Sequence, residues 1–417
     1  MYSLKSRLHR LLRWSEKYTK TDMVYLTKNS VWLIAGQILS SALALALAVA
    51  FGHLASQETY GNYKYILSVI GLFSSLSLAG IGPAVTQATA QGHDGSLRQG
   101  FWLSLRWSGM IVTLSLLGAL YYLLIAHNIF LAAALCLSAF FVPLINSFSL
   151  FDAFLIGKQQ FKRDTIYTTI NNAVPVVALI ISLFFTQRAV ILIVVYLVAN
   201  TLADAFFYIL SRKQEENTKT DSGVFSYSAH LSVMTIINTI ADKIDSLVVF
   251  ALLGPAQLAI YSYAIAMPEQ IKGILKILGP LSLAKFTQRK ISEIKENIWT
   301  RVRYLAIGIA LITFLYIAAA PVLFKVLFPA YTESVFYSQI YALSLLLAVT
   351  TPMGIIFQSH KKIKELYIAS NSSSLFLIIA IPLLTYYFGV IGAIMGQIAY
   401  RIFGAMITTF FFLRFKD

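Results

Sequence analysis

From Trp107 to Phe151 the chain runs for 45 residues without an aspartate, glutamate, lysine or arginine. A hydrocarbon layer is crossed by about 20 apolar residues in helical form, so this stretch holds two crossings. Inside a bilayer the backbone must satisfy its own hydrogen bonds, which leaves helices or a closed barrel. The stretch is therefore read as two transmembrane helices folded back at His127-Asn128. The rest of the chain has the same character. Apolar residues make up 58% and charged residues 12%, against about 45–50% and about 25% in soluble domains. A soluble fold of this composition would expose aggregating apolar patches.

The same search places one helix each in Asn29–Gln57, Tyr65–His93 and Thr165–Gln187, and another in Ala189–Ser211, interrupted by Asp204. After the polar run from Arg212 to Asp221, helices are expected near 229–253, 259–283, 303–325, 334–358, 366–388 and 390–413. The expected fold is all-α: a polytopic membrane protein of twelve transmembrane helices in two six-helix bundles, 29–211 and 229–417, joined by a cytoplasmic linker at 212–228. Residues 1–28 carry seven basic residues. As a helix they set Leu4, Leu8, Leu11, Leu12 and Tyr18 against Arg7, Arg10, Arg13 and Lys17, a pattern that suits the anionic cytoplasmic leaflet; a basic tail without structure fits the same residues. No small-residue cleavage site makes the segment a signal peptide.

Charge sets the orientation. Of the 33 Lys and Arg residues, 26 fall in segments that are cytoplasmic if the N-terminus is inside, and only Lys64, Arg188 and Lys325 fall in the outer connections. Basic residues stay inside, so both termini are expected in the cytoplasm. In such a chain the net charge of +15 marks cytoplasmic loops, not nucleic-acid binding. The halves also echo each other. Tyr60-Gly61-Asn62-Tyr63-Lys64-Tyr65 is followed 198 positions later by Leu258-Ala259-Ile260-Tyr261-Ser262-Tyr263, at the matching outer connection. A duplicated six-helix unit, with substrate between the copies, is a common transporter plan.

The residues for enzyme chemistry are missing. Cys136 is the only cysteine, the six histidines are scattered at expected helix ends, and no phosphate-cradling glycine loop is present. No cofactor or metal is expected. The informative residues are charges inside the membrane, each costing about 2.5–3.5 kcal/mol on insertion scales. Asp242, Lys243 and Asp245 lie midway along the seventh helix, Glu269, Lys272 and Lys276 stripe the eighth, and Arg401 lies in the twelfth. Glu269 with Lys272, or Asp245 with Arg401, would neutralise locally. Four cations against three anions leave a surplus, which suits a water-filled cavity for an anionic group. Lys243, Lys272, Lys276 and Arg401 are the candidate substrate-binding cations, and Asp242, Asp245 and Glu269 the candidates for ion coupling. In the first bundle Gln37, Ser40, Ser41, Thr86 and Gln87 fit helix-to-helix hydrogen bonds or sugar hydroxyls.

Several short motifs in order then carry a resemblance: Asn29–Gly36 opening the first helix, Tyr60–Tyr63 around Gly61, and Ala241–Leu247 (Ala-Asp-Lys-Ile-Asp-Ser-Leu). Leu253-Gly254, Ile260-Tyr261-Ser262, Pro268-Glu269 and Gly389–Gly396 complete the set. Together they resemble the polysaccharide flippases of the superfamily that also holds multidrug exporters and the lipid II flippase. The resemblance implies export of an isoprenoid-pyrophosphate-linked oligosaccharide, the repeat unit of an O-antigen or capsule, across a bacterial inner membrane by alternating access. H⁺ or Na⁺ is the implied coupling ion; membrane lipids and glycan-polymerising or assembly proteins are the implied partners. The lipid II flippase usually has two further helices that this chain lacks. A multidrug exporter has the same architecture, but its cationic substrates would be repelled by a cationic cavity. A glycan polymerase or ligase would need a large outer loop.

The topology has a direct test. A reporter active only in the cytoplasm should work when fused after Lys219 and be silent after Tyr331; activity at both sites, or the reverse pattern, would overturn the orientation.

Overall fold

The computed structural model describes residues 23–76, 80–221, 223–276, 291–360 and 362–414, and the described residues are helical without a strand. The expected amphipathic segment at 1–28 lies outside them as far as residue 22, and beyond that nothing of its side chains is described.

The first half comprises α1 (Met23–Leu54), α2 (Gln57–Leu76), α3 (Ile81–Ala90), α4 (Ser96–Trp107), α5 (Gly109–Leu124), α6 (Ile129–Phe148), α7 (Leu150–Gly157), α8 (Phe161–Phe185) and α9 (Ala189–Arg212). The second comprises α10 (Val224–Leu253), α11 (Pro255–Lys276), α12 (Ile291–Leu327), α13 (Ser334–Ala342), α14 (Thr351–Ser359) and α15 (Ile363–Arg414). Each of the twelve expected segments holds helix, that at 259–283 as far as Lys276.

Local chemistry explains the turns. The uncharged stretch reverses between α5 and α6, where His127 takes φ 48° and Asn128 caps α6 by accepting from the Leu131 N–H at 3.0 Å. The side-chain oxygen satisfies an otherwise unpaired amide of the first turn. α15 is two antiparallel arms meeting at Gly389, which takes φ 62° and ψ −142°. A straight helix would separate Ile381 from Gly396 by about 22 Å, whereas a Cβ on Gly396 would meet Ile381 at 2.9 Å. Phe376 and Phe403 stack across the arms at 4.9 Å.

Eight described stretches are long and apolar enough to cross a membrane, with the α15 hairpin counted as one. α2, α10 and α11 are not among them, and each carries charge within its span: Lys64 in α2, the Asp242-Lys243-Asp245 group in α10 and Glu269 with Lys272 in α11. The described part of α12 is helical from Ile291, three turns before the expected 303, and its apolar span is Val302–Leu327. α10 begins at Val224 rather than near 229.

Within the first half α1 packs on α8, α8 on α9, α9 on α6 and α6 on α5; within the second, α10 packs on α15 and α11 on α13. α2 is the bridge, running along both α10 and α11. At the end distal to the linker the halves meet through aromatic rings. Tyr263 lies 4.7 Å from Tyr60 and 3.8 Å from Tyr331 between ring centroids, and its hydroxyl donates to the Ala48 carbonyl at 2.7 Å. Gln57 Nε2 donates to the Ala330 carbonyl across the same seam. At the opposite end the linker is bonded to the first half: Arg98 pairs with Glu215 at 2.8 Å, and Lys158 pairs with Asp94 and Glu216 at 2.7 and 3.2 Å. Burial pulls the Lys158 ammonium down, but Asp94 and Glu216 outweigh it and hold the group above the ordinary lysine value.

The repeated motifs open α2 and α11, which begin at Gln57 and Pro255, the same 198 positions apart. Their first turns touch. A Cβ on Gly61 would sit 1.8 Å from the Pro255 carbonyl oxygen, so only glycine allows this approach. Gly61→Val should separate the turns and cost about 1–3 kcal/mol, the usual price of overpacking, read as a lower midpoint in thermal unfolding of the purified protein. An unchanged midpoint would show that this contact does not hold the halves together.

Candidate substrate and ion sites

Helix α10 divides the membrane charges between two directions. Lys243 and Asp245 are two residues apart, about 200° around a helix, and they serve different neighbours. Lys243 crosses the seam to α2: its Cε would lie 2.9 Å from a Cβ on Gly71. The absent side chain of Gly71 is the space that Lys243 occupies. Beyond it, Lys243 and Lys64 line a cavity of about 380 Å³ with Ser68, Ser74, Asn146 and Tyr196, and no carboxylate lines it. A further space of about 430 Å³, also lined by Gly71, Ser74 and Asn146, reaches Ser104, Ser149 and Asp152.

Lys64 was expected in an outer connection; the structure places it in the second turn of α2. The legible signal is the N-cap. Ser56 Oγ accepts from the Thr59 N–H at 3.1 Å, and Glu58 follows in the first turn, where an acid is favoured. Reading Ser-Gln-Glu-Thr as a helix start moves Lys64 into the helix.

Asp245 turns the other way and is 6% exposed. It accepts from the Tyr261 hydroxyl at 2.7 Å, Gln397 Nε2 at 2.9 Å and the backbone N–H of Ser246 at 2.5 Å. Arg401, the partner considered for it on sequence, goes instead to Glu269. Asp242, the third acid of the group, is on the exposed side of α10 and acts electrostatically on Tyr400.

Glu269 is the hub of the second charged group. Its carboxylate accepts from Arg401, from Lys272 at 3.3 Å and from the Tyr341 hydroxyl at 2.7 Å. Arg401 also donates to Ser344 Oγ at 2.6 Å and lies over the Tyr341 ring at 4.7 Å. Lys272 and Arg401 border a cavity of about 440 Å³ inside the second half, with Ser344, Thr351, Ser373 and Tyr400 among its lining. The four candidate cations are thus not gathered in one pocket. Lys272 and Arg401 share this one, Lys243 lines the cavity at the seam, and the side chain of Lys276 lies outside the described residues. Sequence reading missed Tyr261, Tyr341, Ser344 and Gln397, neutral partners that only the tertiary fold brings to the acids.

The Glu269–Arg401 pair should show as energetic coupling. Removing one partner strands the other charge, so the losses of stability in Glu269→Gln and Arg401→Gln should sum to more than the loss in the double variant. The coupling should be about 1–3 kcal/mol, toward the lower end because the Glu269 side chain is 36% exposed and solvent screens it. Additive unfolding midpoints in the cycle would reject the pair.

No curated protein sequence matches the chain. Among solved structures it is similar to the lipid II flippase MurJ in its inward closed conformation, with 15% identity, 92% of this chain and 87% of that one covered, and a TM-score of 0.70. It is also similar to the inward-facing conformation of a multidrug resistance MATE family transporter of the MOP superfamily, with 12% identity, 92% and 97% coverage and a TM-score of 0.69. A MOP superfamily transporter from Pyrococcus furiosus, described as having a binding pocket of reverse polarity, aligns over 94% and 95% of the chains at 13% identity and a TM-score of 0.63. At these identities the likeness is one of fold. The sequence profile of the polysaccharide biosynthesis protein family matches residues 26–279, well over half of the sequence, and the chain belongs to that family.

Proposed function

We propose that the protein is a flippase that moves an isoprenoid-pyrophosphate-linked oligosaccharide from the cytoplasmic to the outer leaflet. The observation that carries this reading is the seam cavity, where Lys243 reaches across from the second half to join Lys64. Burying a pyrophosphate or a sugar hydroxyl without partners blocks passage through lipid. Two ammonium groups in a space without carboxylates offset the first cost. Ser68, Ser74, Asn146 and Tyr196 supply partners for hydroxyls. The isoprenoid stays in lipid. Family membership in polysaccharide biosynthesis favours a glycan cargo, and the cavity's charge disfavours cationic drugs.

The site spans elements that alternating access would move apart. Lys64 belongs to the first half and Lys243 to the second, so opening at either end changes their separation. In this reading the tyrosine seam closes the outer side. Lys272 and Arg401 hold Glu269 and border a second polar space, and by its spacing in the sequence Lys276 continues the stripe of Glu269 and Lys272 on α11. Asp245, whose side-chain partners are neutral donors, is better suited to exchange H⁺ or Na⁺ than Glu269, which two cations hold; Asp242 is the third candidate.

Lys64→Ala and Lys243→Ala should each cut export per protein molecule roughly tenfold, the loss of one charge-assisted hydrogen bond of about 1.5–3 kcal/mol. Gly71→Leu should do the same by displacing Lys243 without removing a charge. The measurement is lipid-linked glycan trapped on the cytoplasmic leaflet, normalised to the protein in the membrane. Normal export by both lysine variants would reject the anion site.

A further inference from the structure

The cavity of about 440 Å³ inside the second half has a wall of two kinds. One part is cationic. Arg401 donates to Ser344 Oγ at 2.6 Å and shares Glu269 with Lys272. The other part is apolar. Leu305, Ile309, Leu345 and Ala348 pack in one cluster, and Leu347, Pro352 and Ile355 extend the lining. The two parts are joined by Leu343–Thr350, an eight-residue 3₁₀ segment between α13 and α14. Such runs rarely exceed three or four residues, and their side chains eclipse at i and i+3. Ser344 is therefore stacked on Leu347, and Leu345 on Ala348, and all four line the cavity. One row thus leads from a hydroxyl at the cations to an apolar side chain.

This wall narrows the chemistry of what can fill it. Neither a carboxylate nor a histidine is in the lining, whose titratable groups are Lys272, Arg401 and Tyr400. Glu269 is already held by both cations and by the Tyr341 hydroxyl. Arg401 keeps a donor in reserve, since its Nε–H is buried without an acceptor, a state that few buried polar groups are left in. An anionic oxygen is the strongest acceptor for a guanidinium. The apolar part asks for the opposite. It offers no hydrogen bond, so a sugar or nucleotide filling the space would be stripped of water without replacement. Water alone fits as poorly, because each buried molecule needs two to four polar partners. A space left empty forfeits the dispersion contacts of its lining.

Size and position complete the argument. About 440 Å³ lies in the lower part of the range of small-ligand pockets, about 300–1,000 Å³, which suits one chain and not two. The cavity is toward the linker end of its half. Leu305 is one turn inside the apolar span of α12, which opens at Val302. Ala369 and Thr408 each lie six residues from an end of α15. The leaflet at that end is the source of an amphiphile.

We propose that this cavity binds a single-chain anionic amphiphile, a long-chain fatty acid, with its carboxylate on Arg401 and Lys272 and its chain along Leu305, Ile309, Leu347 and Ile355. The site is separate from the Lys64–Lys243 cavity and does not rest on the flippase reading. The bound carboxylate shares Arg401 with Glu269, and the chain fastens α12 to the 3₁₀ segment and to α14.

The experiment is native mass spectrometry of the purified full-length protein titrated with oleate in detergent. The wild type should take up one oleate saturably. Lys272→Gln, which removes the charge, and Ala348→Phe, which fills the space and keeps it, should each weaken binding roughly tenfold, the factor for one charge-assisted hydrogen bond or more. Lys219→Gln, at an exposed linker position, should bind oleate as the wild type does. Absence of a saturable single adduct from the wild type overturns the site, whether or not a variant folds. Equal binding of oleyl alcohol overturns the anionic head. Uptake of dioleoyl phosphatidylglycerol but not oleate overturns the single chain, and undiminished oleate binding in both cavity variants makes the adduct adventitious. Normal glycan export by Lys64→Ala and Lys243→Ala would reject the flippase reading and leave these titrations unaffected.

Discussion

A charge placed in hydrocarbon must find a partner, water or a proton, and much of this architecture follows from how that requirement is met. The lipid-facing surface needs no such account, since apolar helices with satisfied backbones are stable there. Lys64, Lys243, Asp245, Glu269, Lys272 and Arg401 are held inside, on the helices that face the seam or the interior of the second half, while Asp242 lies on the exposed side of α10. Glu269 is satisfied by two cations and a tyrosine and Asp245 by a tyrosine, a glutamine and a backbone amide, whereas among the described residues neither seam lysine is in an ion pair, Lys64 having only the Tyr60 ring at 6.0 Å and the more distant field of Asp245. These differences separate what holds the bundle together from what can bind a visitor. A carboxylate with cations on two sides is costly to disturb, whereas two lysines lining a polar cavity without an acid have electrostatic capacity left.

The 198-residue offset between the motifs puts this capacity at a defined place. α2 and α11 start at equivalent positions, and their first turns pack together through Gly61 and Pro255. Past that contact the halves diverge in chemistry. At the offset of 198, Lys64 corresponds to Ser262 and Gly71 to Glu269. The first half thus contributes a cation and a gap to the seam, while the second contributes an acid and turns it inward to Arg401.

Much of this was legible in the sequence because the bilayer permits few solutions. The uncharged stretches marked the helices, the reversal at His127-Asn128 fell where two polar residues interrupted 45 uncharged ones, and the clustering of charges in α10, α11 and the second arm of α15 was visible at once. Partners were less accessible. Periodicity places Asp245 on a face of α10 but does not say which helix lies opposite, so Arg401 and Gln397 were equally available to it until packing chose. Lys64 was lost for a different reason. A charge near a helix end looks like a loop residue when spans are sought as charge-free windows, and the Ser56 cap that begins α2 eight residues earlier is a local signal that such windows ignore.

The two ends of the molecule are closed by different kinds of contact. At the distal end the halves touch through tyrosine rings, a glycine against a carbonyl and single hydrogen bonds between neutral groups. Such contacts carry no large desolvation cost when separated, because hydroxyl and amide groups rehydrate readily and rings stack over a range of angles. At the linker end the ion pairs run within the first half and its attached linker, from Arg98 to Glu215 and from Lys158 to Asp94 and Glu216. Gln99 extends the attachment to the Asp221 carbonyl at 2.9 Å. The linker is therefore fastened to the first half as far as Asp221, two residues before α10 is reached through Gly223. Strong contacts that stay inside one half do not oppose its movement against the other. Between the halves at this end, contacts such as the Gly80 N–H to Ser232 Oγ at 2.8 Å are again neutral. A seam joined by such neutral contacts, with two lysines outside any ion pair held between its ends, is on the proposed flippase reading the arrangement in which binding an anion changes the balance between closed ends.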